Sequence, residues 1–384
     1  MTKVLYVLER WPELSQTFVA EEIRALLELE CEVEVACIGR GSGADPGIPS
    51  QSFADTPPGK RVAAALGQAA SAPIATFRQI ITERSWPPPG GNQRLKGLTR
   101  LAPFRQAALR ADHIHAHFAT EAADIARLLA ATTGRSWSFT AHGRDAYGDQ
   151  TALATNLASA AFARAASPHV AEQLRTANSG ASVIEIPVAV ALDLFERRDP
   201  YNGAGPVVST GRLIEKKGFE DLINAFRTAR LDDRELLIVG EGPLRRDLEG
   251  RAEGLDVRFL GALPPSEVAA IVKQASVFAL LSKVAADGDR DGRPAALVEA
   301  MAAGIPVLST EVPGISDLVH PDCGVLVEPG SAVLAAVALR ELVDLPTGAR
   351  EAMGAAGQAR SQAYSPEAVA GELLAQFNTA ISGS

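Results

Sequence analysis

The chain has 384 residues, of which 47% are hydrophobic and 22% are charged. At roughly 150 residues per domain this length predicts two domains, and the apolar content argues against a disordered or disulfide-stapled protein. With 37 basic against 46 acidic residues the net charge is −9, which argues against a general nucleic-acid binder.

The cellular location is inferred from short local features. None of the three cysteines stands in a zinc-binding or C-x-x-C spacing, which favours a reducing compartment. The apolar run that opens the chain ends at Glu9 and is too short for a signal peptide. The uncharged stretches 62–77 and 150–163 fall short of the ~18 to 20 apolar residues of a spanning helix. We therefore expect a cytoplasmic protein, peripheral to a membrane at most.

Strand and helix patterns alternate along most of the chain. In the first half the predicted strands cover 3–8, 31–38, 113–118, 136–141 and 182–187, with helices at 17–29 and 120–132 and a helical pair within 151–176. After a link at 199–206 the predicted strands cover 207–210, 235–239, 257–260, 277–281, 306–309 and 325–327. Between them helices are predicted at 218–229, 244–251, 265–274 and 294–303, and further helices close the chain.

This alternation predicts an α/β fold with two doubly wound, Rossmann-like parallel-sheet domains. Parallel strands need crossovers, and these place helices on both faces of each sheet. Ligands of such sheets bind beyond the carboxyl ends of the strands, so we expect the ligand site in the cleft that the two domains face.

Residues 39–112 interrupt the pattern, because they are rich in Gly, Pro and Ser and predict long loops and broken helices. Between Pro57 and Ala111 nine basic residues accompany a single acid, Glu83. A solvated basic face accounts for this excess, and a surface that faces an anionic acceptor or a membrane is the alternative.

The same region begins with a glycine pattern that resembles a nucleotide site. Gly39, Gly41 and Ala44 satisfy G-x-G-x-x-G/A, the dinucleotide-binding pattern. That site needs a helix directly after it, which Pro46 and Pro49 prevent, so we expect no dinucleotide there.

Two further segments resemble metal sites. His113, His115 and His117 alternate on a predicted strand and so share one face, an arrangement that can hold zinc. A strand-end histidine in a cleft needs no metal, and we expect His117 to reach a ligand directly. The segment 287–292 resembles half of a calcium loop but lacks the glutamate at position twelve. It also contains D-x-D twice, the metal site of a cation-dependent class of sugar transferases, and this alternative stays open.

The second half contains residues suited to an anionic ligand. Arg212 and Lys217 lie where a strand leads into a helix, so two cations can converge on a pair of phosphates. Gly240 and Gly242 end the next strand, and their small size permits close approach of the backbone to a planar ring.

A later helix completes this pattern. The segment 292–294, Gly-Arg-Pro, begins a helix whose free N–H groups favour an anion, with Pro294 suited to the first helical position. Glu299 on that helix can accept hydrogen bonds from two hydroxyls. Together these residues predict a site for a nucleoside diphosphate.

These residues stand in motifs that resemble family 4 of the retaining glycosyltransferases, which have the two-domain GT-B fold, and within it the bacterial exopolysaccharide and colanic-acid-type enzymes. The resemblance is carried by WPELSQTF at 11–18, HAHF at 115–118, TAHGRD at 140–145 and the whole of 207–329. It is most specific over 287–314, DGDRDGRPAALVEAMAAGIPVLSTEVPG, and weakest over 39–112.

The resemblance implies that the two domains bind different substrates. Residues 1–190, together with a final helix within 364–384 that crosses back, form the acceptor-binding domain, and 191–363 form the nucleotide-sugar donor-binding domain. The reaction moves a sugar from a nucleoside-diphosphate sugar to an acceptor hydroxyl with retained anomeric configuration. It needs no metal or other cofactor, because Arg212 and Lys217 stabilise the diphosphate leaving group.

The resemblance also implies the roles of individual residues. The catalytic residues are Arg212, Lys217, Asp291 and His142. The donor-binding residues are Gly211, Gly240, Glu241, Gly242, Pro243, Gly292, Arg293, Pro294, Ala295, Leu297 and Glu299. The acceptor-side residues are Ser15, Gln16, Thr17, His117 and Arg144. Similar enzymes usually have Glu at the position of Asp291, and the residues Arg293 and Ala295 also depart from their pattern, which points to altered donor selection.

Two other functions use the same architecture. A nucleotide-sugar 2-epimerase binds similar donors but needs no acceptor, and a non-enzymatic nucleotide-sugar-binding protein modifies no acceptor at all. The partners expected of a transferase are a nucleotide sugar and an acceptor, either a sugar, a lipid-linked glycan or a small natural product, and no nucleic acid. The sequence identifies neither the donor nor the oligomeric state.

Overall fold

The computed structural model describes residues 1–13, 16–43, 46–71, 101–196, 203–231 and 233–383, without the side chains of Thr17, Gln68, Ala69, Ser71, Arg144 and Tyr147. Two compact units make up the chain: Met1–Ala189 with Val369–Ser384, and Val190–Ala368.

The first unit is built on a parallel sheet of seven strands. They are β1 (Lys3–Trp11), β2 (Glu32–Arg40), β3 (Ser50–Ser52), β4 (His113–His117), β5 (Ser136–Ala141), β6 (Phe162–Ala165) and β7 (Val183–Glu185). Its helices are α1 (Thr17–Glu28), α2 (Pro58–Ser71), α3 (Arg105–Arg110), α4 (Glu121–Thr133), α5 (Gln150–Leu157) and α6 (Pro168–Ala177). The strand order is β3-β2-β1-β4-β5-β6-β7.

Helices cover both faces of this sheet, so even the polar residues of the central strands β4 and β5 are mostly buried. Val4 to Leu8 of β1 are all buried. One face packs against helices α3 to α6 through residues such as Ile125 and Leu174. The opposite face packs against α1 through Val19 and Ile23.

The second unit has a parallel sheet of six strands. They are β8 (Val207–Thr210), β9 (Leu236–Val239), β10 (Val257–Gly261), β11 (Val277–Ala279), β12 (Val307–Thr310) and β13 (Gly324–Val327), in the order β10-β9-β8-β11-β12-β13. Its helices are α7 (Phe219–Ala229), α8 (Arg245–Arg251), α9 (Pro265–Val272), α10 (Ala295–Ala302), α11 (Ala332–Asp344) and α12 (Thr347–Ser361). Helices α9 and α10 cover one face, and α7 and α11 cover the other.

The last helix, α13 (Pro366–Ser382), contributes to the first unit. Val369, Leu373 and Phe377, each fully buried, lie one turn apart and so share a face of the helix. They join the same core as α1, on the face of the first sheet that carries the histidines of β4. The assignment of acceptor and donor to the two units stays a prediction.

The structure corrects the prediction at three places. The expected helical pair within 151–176 is interrupted by strand β6, which is only four residues long and half alanine, so its sequence does not have the β-branched character of a typical strand. Strand β3 lies in the region for which long loops and broken helices, but no strand, were expected. Pro294 is the N-cap of α10 rather than its first residue.

Much of the basic region, residues 72–100, lies outside the described part of the chain. None of the helices that the structure describes is both long and apolar enough to cross a bilayer.

Candidate functional site

The loop that follows β8 contains the first predicted donor residues. Gly211 has φ 152° and leads into the short turn Glu215–Lys217. A Cβ on Gly240 would lie 1.9 Å from the carbonyl oxygen of Gly211, and a Cβ on Gly242 would lie 2.5 Å from that of Leu213. The sequence prediction related these two glycines to a planar ligand, but the backbone of the neighbouring loop already requires them.

Lys217 and Asp291 form an ion pair between this loop and the segment that precedes α10. The Nζ atom of Lys217 lies 2.8 Å from Oδ2 of Asp291, and both side chains are largely buried. Ser282 donates its hydroxyl to the same carboxylate oxygen at 2.8 Å. Asp291 is therefore anchored by two of the chain's own groups, and an incoming diphosphate has to share Lys217 with it or displace it.

The neighbouring Lys216 holds the acidic segment in place. Its Nζ atom lies 3.1 Å from Oδ1 of Asp289 and 3.7 Å from Oδ1 of Asp291. On the adjacent turn Glu215 accepts a hydrogen bond from the N–H of Ala286 at 3.2 Å. Two carboxylates that a D-x-D metal site would use thus face lysine ammonium groups, and this donor set does not fit a divalent cation.

Glu299 lies on α10 with its side chain half-buried. Among the described residues none forms a hydrogen bond with its carboxylate. Burial raises the pKa of Glu299 to about 7, while the nearby Lys217 ammonium lowers it. A partly buried carboxyl group without a protein partner among the described residues is suited to accept hydrogen bonds from ligand hydroxyls.

Two arginines also lie in this part of the second unit. Arg212 is exposed, and no residue in the described ranges forms a hydrogen bond or an ion pair with it. Arg293 is half-buried, and its Nε atom is buried without a hydrogen-bond partner in the described part of the chain. The guanidinium of Arg212 is therefore available to an anion, and Nε of Arg293 has its donor unused by the described residues.

The other predicted donor residues differ in their surroundings. The carbonyl oxygen of Gly292 would lie 2.2 Å from a Cβ on Gly314, so the turn before α10 packs tightly. Glu241 is exposed and pairs with Arg245. The burial of the remaining members differs: Pro243 and Ala295 are exposed, and Pro294 and Leu297 are buried.

In the first unit the structure brings His117 and His142 together. Nδ1 of His117 lies 3.0 Å from Nε2 of His142, and the two rings stack with centroids 5.2 Å apart. His117 is fully buried, and its Nε2 lies 2.9 Å from Oε1 of Glu22. The expectation that His117 faces a ligand directly is corrected, because both of its ring nitrogens already have protein partners. Burial lowers the pKa of His142, so its imidazole is neutral at neutral pH.

Glu22 is the buried charge of this cluster. It accepts a hydrogen bond from the hydroxyl of Tyr6 at 2.8 Å and one from the guanidinium of Arg164. Burial raises the pKa of Glu22, but Arg164 and His117 outweigh burial and hold it well below its ordinary value. The carboxylate is therefore ionised throughout the neutral range.

The other two histidines of β4 form a polar ladder with β5. His113 contacts the hydroxyls of Ser136 and Ser138 at 2.8 and 2.7 Å, and His115 contacts those of Ser138 and Thr140 at 2.7 and 2.9 Å. Burial lowers the pKa of both, that of His113 to about 3. The three imidazoles share one face of the sheet, as the period-two spacing predicts.

The side chains of Glu22, His115 and His117 offer donor atoms of the kind that bind metal ions. The ligand atoms of Glu22, His115 and His117 lie within 4.8 Å of one another. However, the Glu22 oxygens accept from Arg164, Tyr6 and His117, and both nitrogens of His115 are hydrogen-bonded. Because a guanidinium already neutralises the carboxylate, this set does not fit a cation.

The loop that carries His142 is fixed by Asp145. Its carboxylate accepts hydrogen bonds from the backbone N–H groups of His142, Gly143 and Ala119, at 3.0, 2.8 and 2.9 Å. These bonds join the loop after β5 to the loop after β4, so His142 is held beside His117 by backbone as well as by side-chain contacts.

The remaining acceptor-side residues are described incompletely. Ser15 lies outside the described residues, as do the side chains of Thr17 and Arg144. Gln16 is half-buried, and its backbone N–H donates to the carbonyl of Glu13 at 3.0 Å.

Sequence reasoning missed Glu22, Arg164 and Ser282. A signal existed for the first two. Glu22 interrupts the buried stripe of α1 between Val19 and Ile23, and Arg164 is a charged residue in an otherwise apolar strand. Charged residues at core positions of separate elements are expected to pair with each other.

Most of the second unit matches a known protein family. Residues 195–360 match the model of the family described as glycosyl transferases group 1. The chain is a glycosyltransferase with a group 1 domain.

Relatives of this glycosyltransferase include enzymes of bacterial polysaccharide synthesis. AmsK of Erwinia amylovora, an amylovoran biosynthesis glycosyltransferase, is 38% identical over 151 residues, which span only 37% of each chain. WcaL of Escherichia coli K12, named for colanic acid biosynthesis, is 29% identical over 362 residues, which span 83% of this chain and 85% of that one. The predicted resemblance to exopolysaccharide enzymes is confirmed.

Solved structures identify the fold of the glycosyltransferase. HepE of Anabaena in complex with UDP superposes with a TM-score of 0.74 at 19% identity, covering 98% of this chain and all of that chain. At this identity the likeness concerns the fold alone. The predicted GT-B fold, with two parallel-sheet α/β domains, is confirmed.

Proposed function

We propose that this glycosyltransferase retains anomeric configuration and transfers a sugar from a nucleoside-diphosphate sugar to an acceptor hydroxyl without a metal ion. The observation that carries the proposal is the Glu299 carboxyl group, half-buried, unpartnered among the described residues and in the electrostatic range of Lys217. The ribose of a nucleoside diphosphate supplies two hydroxyls as hydrogen-bond donors to Glu299, and its diphosphate supplies an anion for the nearby Lys217.

The nucleotide would bind to the second unit in two parts. Its ribose hydroxyls donate hydrogen bonds to Glu299, and this replaces the solvation that burial has removed. Its diphosphate interacts with Arg212, Lys217 and the free N–H groups at the start of α10. Arg212 can move to the phosphates at little cost because it has no partner to give up in the described ranges.

The same cations would stabilise the departing diphosphate. As the bond between the anomeric carbon and the phosphate oxygen breaks, negative charge grows on that oxygen, and fixed positive groups lower the barrier in place of a metal ion. Asp291 is a poor candidate for a covalent nucleophile, because Lys217 and Ser282 already engage its carboxylate.

Retention would then follow from attack on the same face. The acceptor oxygen forms its bond to the anomeric carbon on the side from which the diphosphate leaves, and the acceptor proton passes to the departing phosphate oxygen. Atoms and charges balance without a base from the protein. In this scheme the first unit binds the acceptor and supplies His142.

The donor and the acceptor are proposed as classes. HepE was crystallised with UDP and with UDP-glucose, and the relatives AmsK and WcaL are named for polysaccharide synthesis. We therefore propose a nucleoside-diphosphate hexose as donor and a growing glycan, lipid-linked or free, as acceptor. A cytoplasmic location, with the basic region 57–111 facing an anionic acceptor or membrane surface, belongs to the same proposal. Acceptor affinity that does not depend on salt would contradict the role given to that region.

The test begins with a thermal-shift screen over UDP-, GDP-, ADP- and dTDP-sugars. The donor that stabilises the protein is then incubated with glycan acceptors in the presence of EDTA, and the new linkage is analysed by NMR. Transfer with retained configuration in EDTA is the expected result. Loss of activity in EDTA contradicts metal independence, and an inverted linkage contradicts retention. An epimer formed from the donor alone identifies a 2-epimerase, and tight donor binding with no modified acceptor identifies a binding protein.

A further inference from the structure

A continuous chain of hydrogen bonds connects a buried ion pair to the side chain of His142. It runs from Arg164 on β6 to Glu22 on α1, from Glu22 to His117 at the end of β4, and from His117 to His142 after β5. Arg164, Glu22 and His117 are fully buried. Such a chain fixes where protons can reside, because each contact needs one donor and one acceptor.

The position of the proton on His117 follows from Glu22. The carboxylate is ionised and accepts from Arg164, from Tyr6 and from Nε2 of His117. An ionised carboxylate has no proton to donate, so Nε2 of His117 must carry one. Arg164 cannot leave this arrangement easily, since its Nε also donates to the carbonyl of Ile186 at 3.0 Å and a terminal nitrogen donates to that of Pro187.

The position of the proton on His142 follows in turn from His117. If His117 carries its single ring proton on Nε2, its Nδ1 has a lone pair, and in the 3.0 Å contact with Nε2 of His142 it is then His142 that donates. A neutral His142 that carries its proton on Nε2 has a lone pair on Nδ1. No hydrogen bond to that Nδ1 is formed by the described residues.

We propose that Glu22 is a positioning residue of the enzyme, which acts through His117 so that His142 presents an unprotonated Nδ1 as hydrogen-bond acceptor for a substrate hydroxyl. Only the role of Nδ1 as acceptor for a substrate hydroxyl rests on the proposed function; the proton positions are inferred from contacts within the first unit and from a single ring proton on His117. The alternative is that Glu22 and Arg164 form an ion pair that stabilises the fold and has no effect on His142.

The groups that surround His117 support a fixed proton pattern. Glu22 approaches from α1, Tyr6 from β1, Arg164 from β6 and His142 from the loop after β5, and His115 is its neighbour on β4. Glu22 is the one acid in this set, and Arg164 already neutralises it. Aromatic neighbours, among them Phe18 and Phe118, hold the His117 ring in place, so exchange of its two nitrogens by a ring flip is opposed. The opposite proton pattern needs no flip but a second proton on Nδ1 of His117, and the spectrum described next distinguishes the two patterns.

The first experiment uses the unmodified enzyme. The ring nitrogens of its six histidines are labelled with ¹⁵N, their protonation is determined by long-range ¹⁵N–¹H NMR at neutral pH, and the His142 signals are assigned from their loss in His142→Asn. The expected spectrum shows an unprotonated Nδ1 and a protonated Nε2 for His142. A His142 with the proton on Nδ1, or with protons on both nitrogens, overturns the proposal.

The second experiment compares Glu22→Gln, which removes the charge of the carboxylate, with Tyr6→Phe, which removes one hydrogen-bond donor to Oε1 of Glu22 and keeps the charge. In Glu22→Gln we expect a mixture of proton positions on His142 and a fall in kcat of about 10-fold or more with little change in KM for the donor. Tyr6→Phe should keep the wild-type proton positions and most of the turnover. If the proton positions change and kcat does not, the proposal is overturned.

Failure of the proposed function is distinguishable from failure of this proposal. An enzyme that shows the expected His142 spectrum but transfers no sugar from any donor contradicts the proposed function and leaves the proton assignment in place. If Glu22→Gln does not fold, because Arg164 is left as an unpaired buried charge, the spectrum of the unmodified enzyme still decides the assignment.

Discussion

The ammonium group of Lys217 lies 2.8 Å from the carboxylate of Asp291, the residue that stands where similar enzymes usually have Glu. Both side chains are largely buried, so this contact is stronger than an exposed ion pair. Before a donor arrives, the cation proposed for the diphosphate therefore already has an anionic partner. This pairing has consequences for both binding and turnover.

Asp291→Asn should tighten the binding of a free nucleoside diphosphate while it lowers turnover. The amide no longer competes for Lys217, and an interaction on the order of 1 kcal/mol corresponds to about a fivefold gain in affinity. Isothermal titration calorimetry measures the affinity. Asp289→Asn is the matched control, because Asp289 pairs with Lys216 and not with Lys217. Weaker diphosphate binding by Asp291→Asn would show that Asp291 supports the anion site instead of competing with it.

Arg212→Ala should reduce turnover more than donor binding. The guanidinium is proposed to stabilise charge that develops only as the diphosphate leaves, and loss of a comparable preorganised group costs about 10²-fold or more in kcat. Steady-state kinetics with saturating donor measures the effect. Arg246→Ala serves as control, since Arg246 is an equally exposed arginine on α8 of the same unit. Unchanged turnover in Arg212→Ala removes this residue from the proposed role.

Replacement of Glu299 by Gln should change how stability depends on pH. The pKa of Glu299 in the folded, unliganded enzyme is about 7, above its ordinary value of 4.5. Between these values the folded state binds more protons than the unfolded chain, so the wild type loses stability as the pH rises from about 4.5 to about 7. Glu299→Gln does not have this loss, and its stability relative to the wild type should increase over that range. Denaturant unfolding at pH 5, 6, 7 and 8 measures the difference, and a constant difference contradicts the raised pKa.

Nucleotide affinity should also depend on the ionisation of Glu299, but it should increase with pH where the stability of the wild type decreases. Ribose hydroxyls donate to an ionised carboxylate better than to a neutral carboxyl group, so the affinity of the wild type should rise as the pH increases through about 7. Binding below that pH should then release a proton, which calorimetry in buffers of different ionisation enthalpy detects. In Glu299→Gln the affinity should be lower and lack this pH dependence. A wild-type affinity that is flat from pH 6 to 8 would assign the ribose to another residue.

Phe377→Ala on α13 should destabilise the first unit by about 3 to 5 kcal/mol, the range for truncation of a large buried aromatic residue. Phe377 is fully buried and contacts the rings of Tyr6, His113, His115 and Phe162. Urea unfolding, followed by the fluorescence of Trp11 and Trp137 in this unit, measures the loss. The exposed neighbour Glu372 provides the control, since Glu372→Ala should change stability by no more than about 0.5 kcal/mol. Equal stability of the two variants would contradict the role of α13 in that core.

The sequence predicts the regular parts of this fold well for a physical reason. Strands such as β9, predicted at 235–239 and observed at 236–239, are apolar runs between clear breaks, and helices such as α7 have a strong apolar face. Strand β6 was missed because its four residues owe their conformation to the neighbouring strands β5 and β7. Here tertiary pairing, rather than local preference, determines the structure.

The residues of the candidate site also fall into two groups: those that a local motif predicts and those whose contacts depend on the tertiary fold. Arg212, Lys217 and Glu299 could be selected because their motifs are local and each has a simple chemical role. Glu22 and Arg164 could each be noticed as a charge at a core position, but that they pair with each other depends on the fold, because 142 positions separate them. The partners of Lys217 were missed for a related reason, since its motif indicates a charge but not which of three nearby aspartates the loop will turn toward it.

The placement of α13 has a consequence for how the protein is made on the ribosome. Its residues Val369, Leu373 and Phe377 complete a core begun by Val4 and Tyr6, so strand β1 waits for a helix that is synthesised only after the whole second unit. The second unit is continuous in sequence and can finish folding while the earlier sheet still exposes apolar side chains. A nascent chain at that stage, or one shortened by a late nonsense codon, is the species that chaperones and proteases would meet.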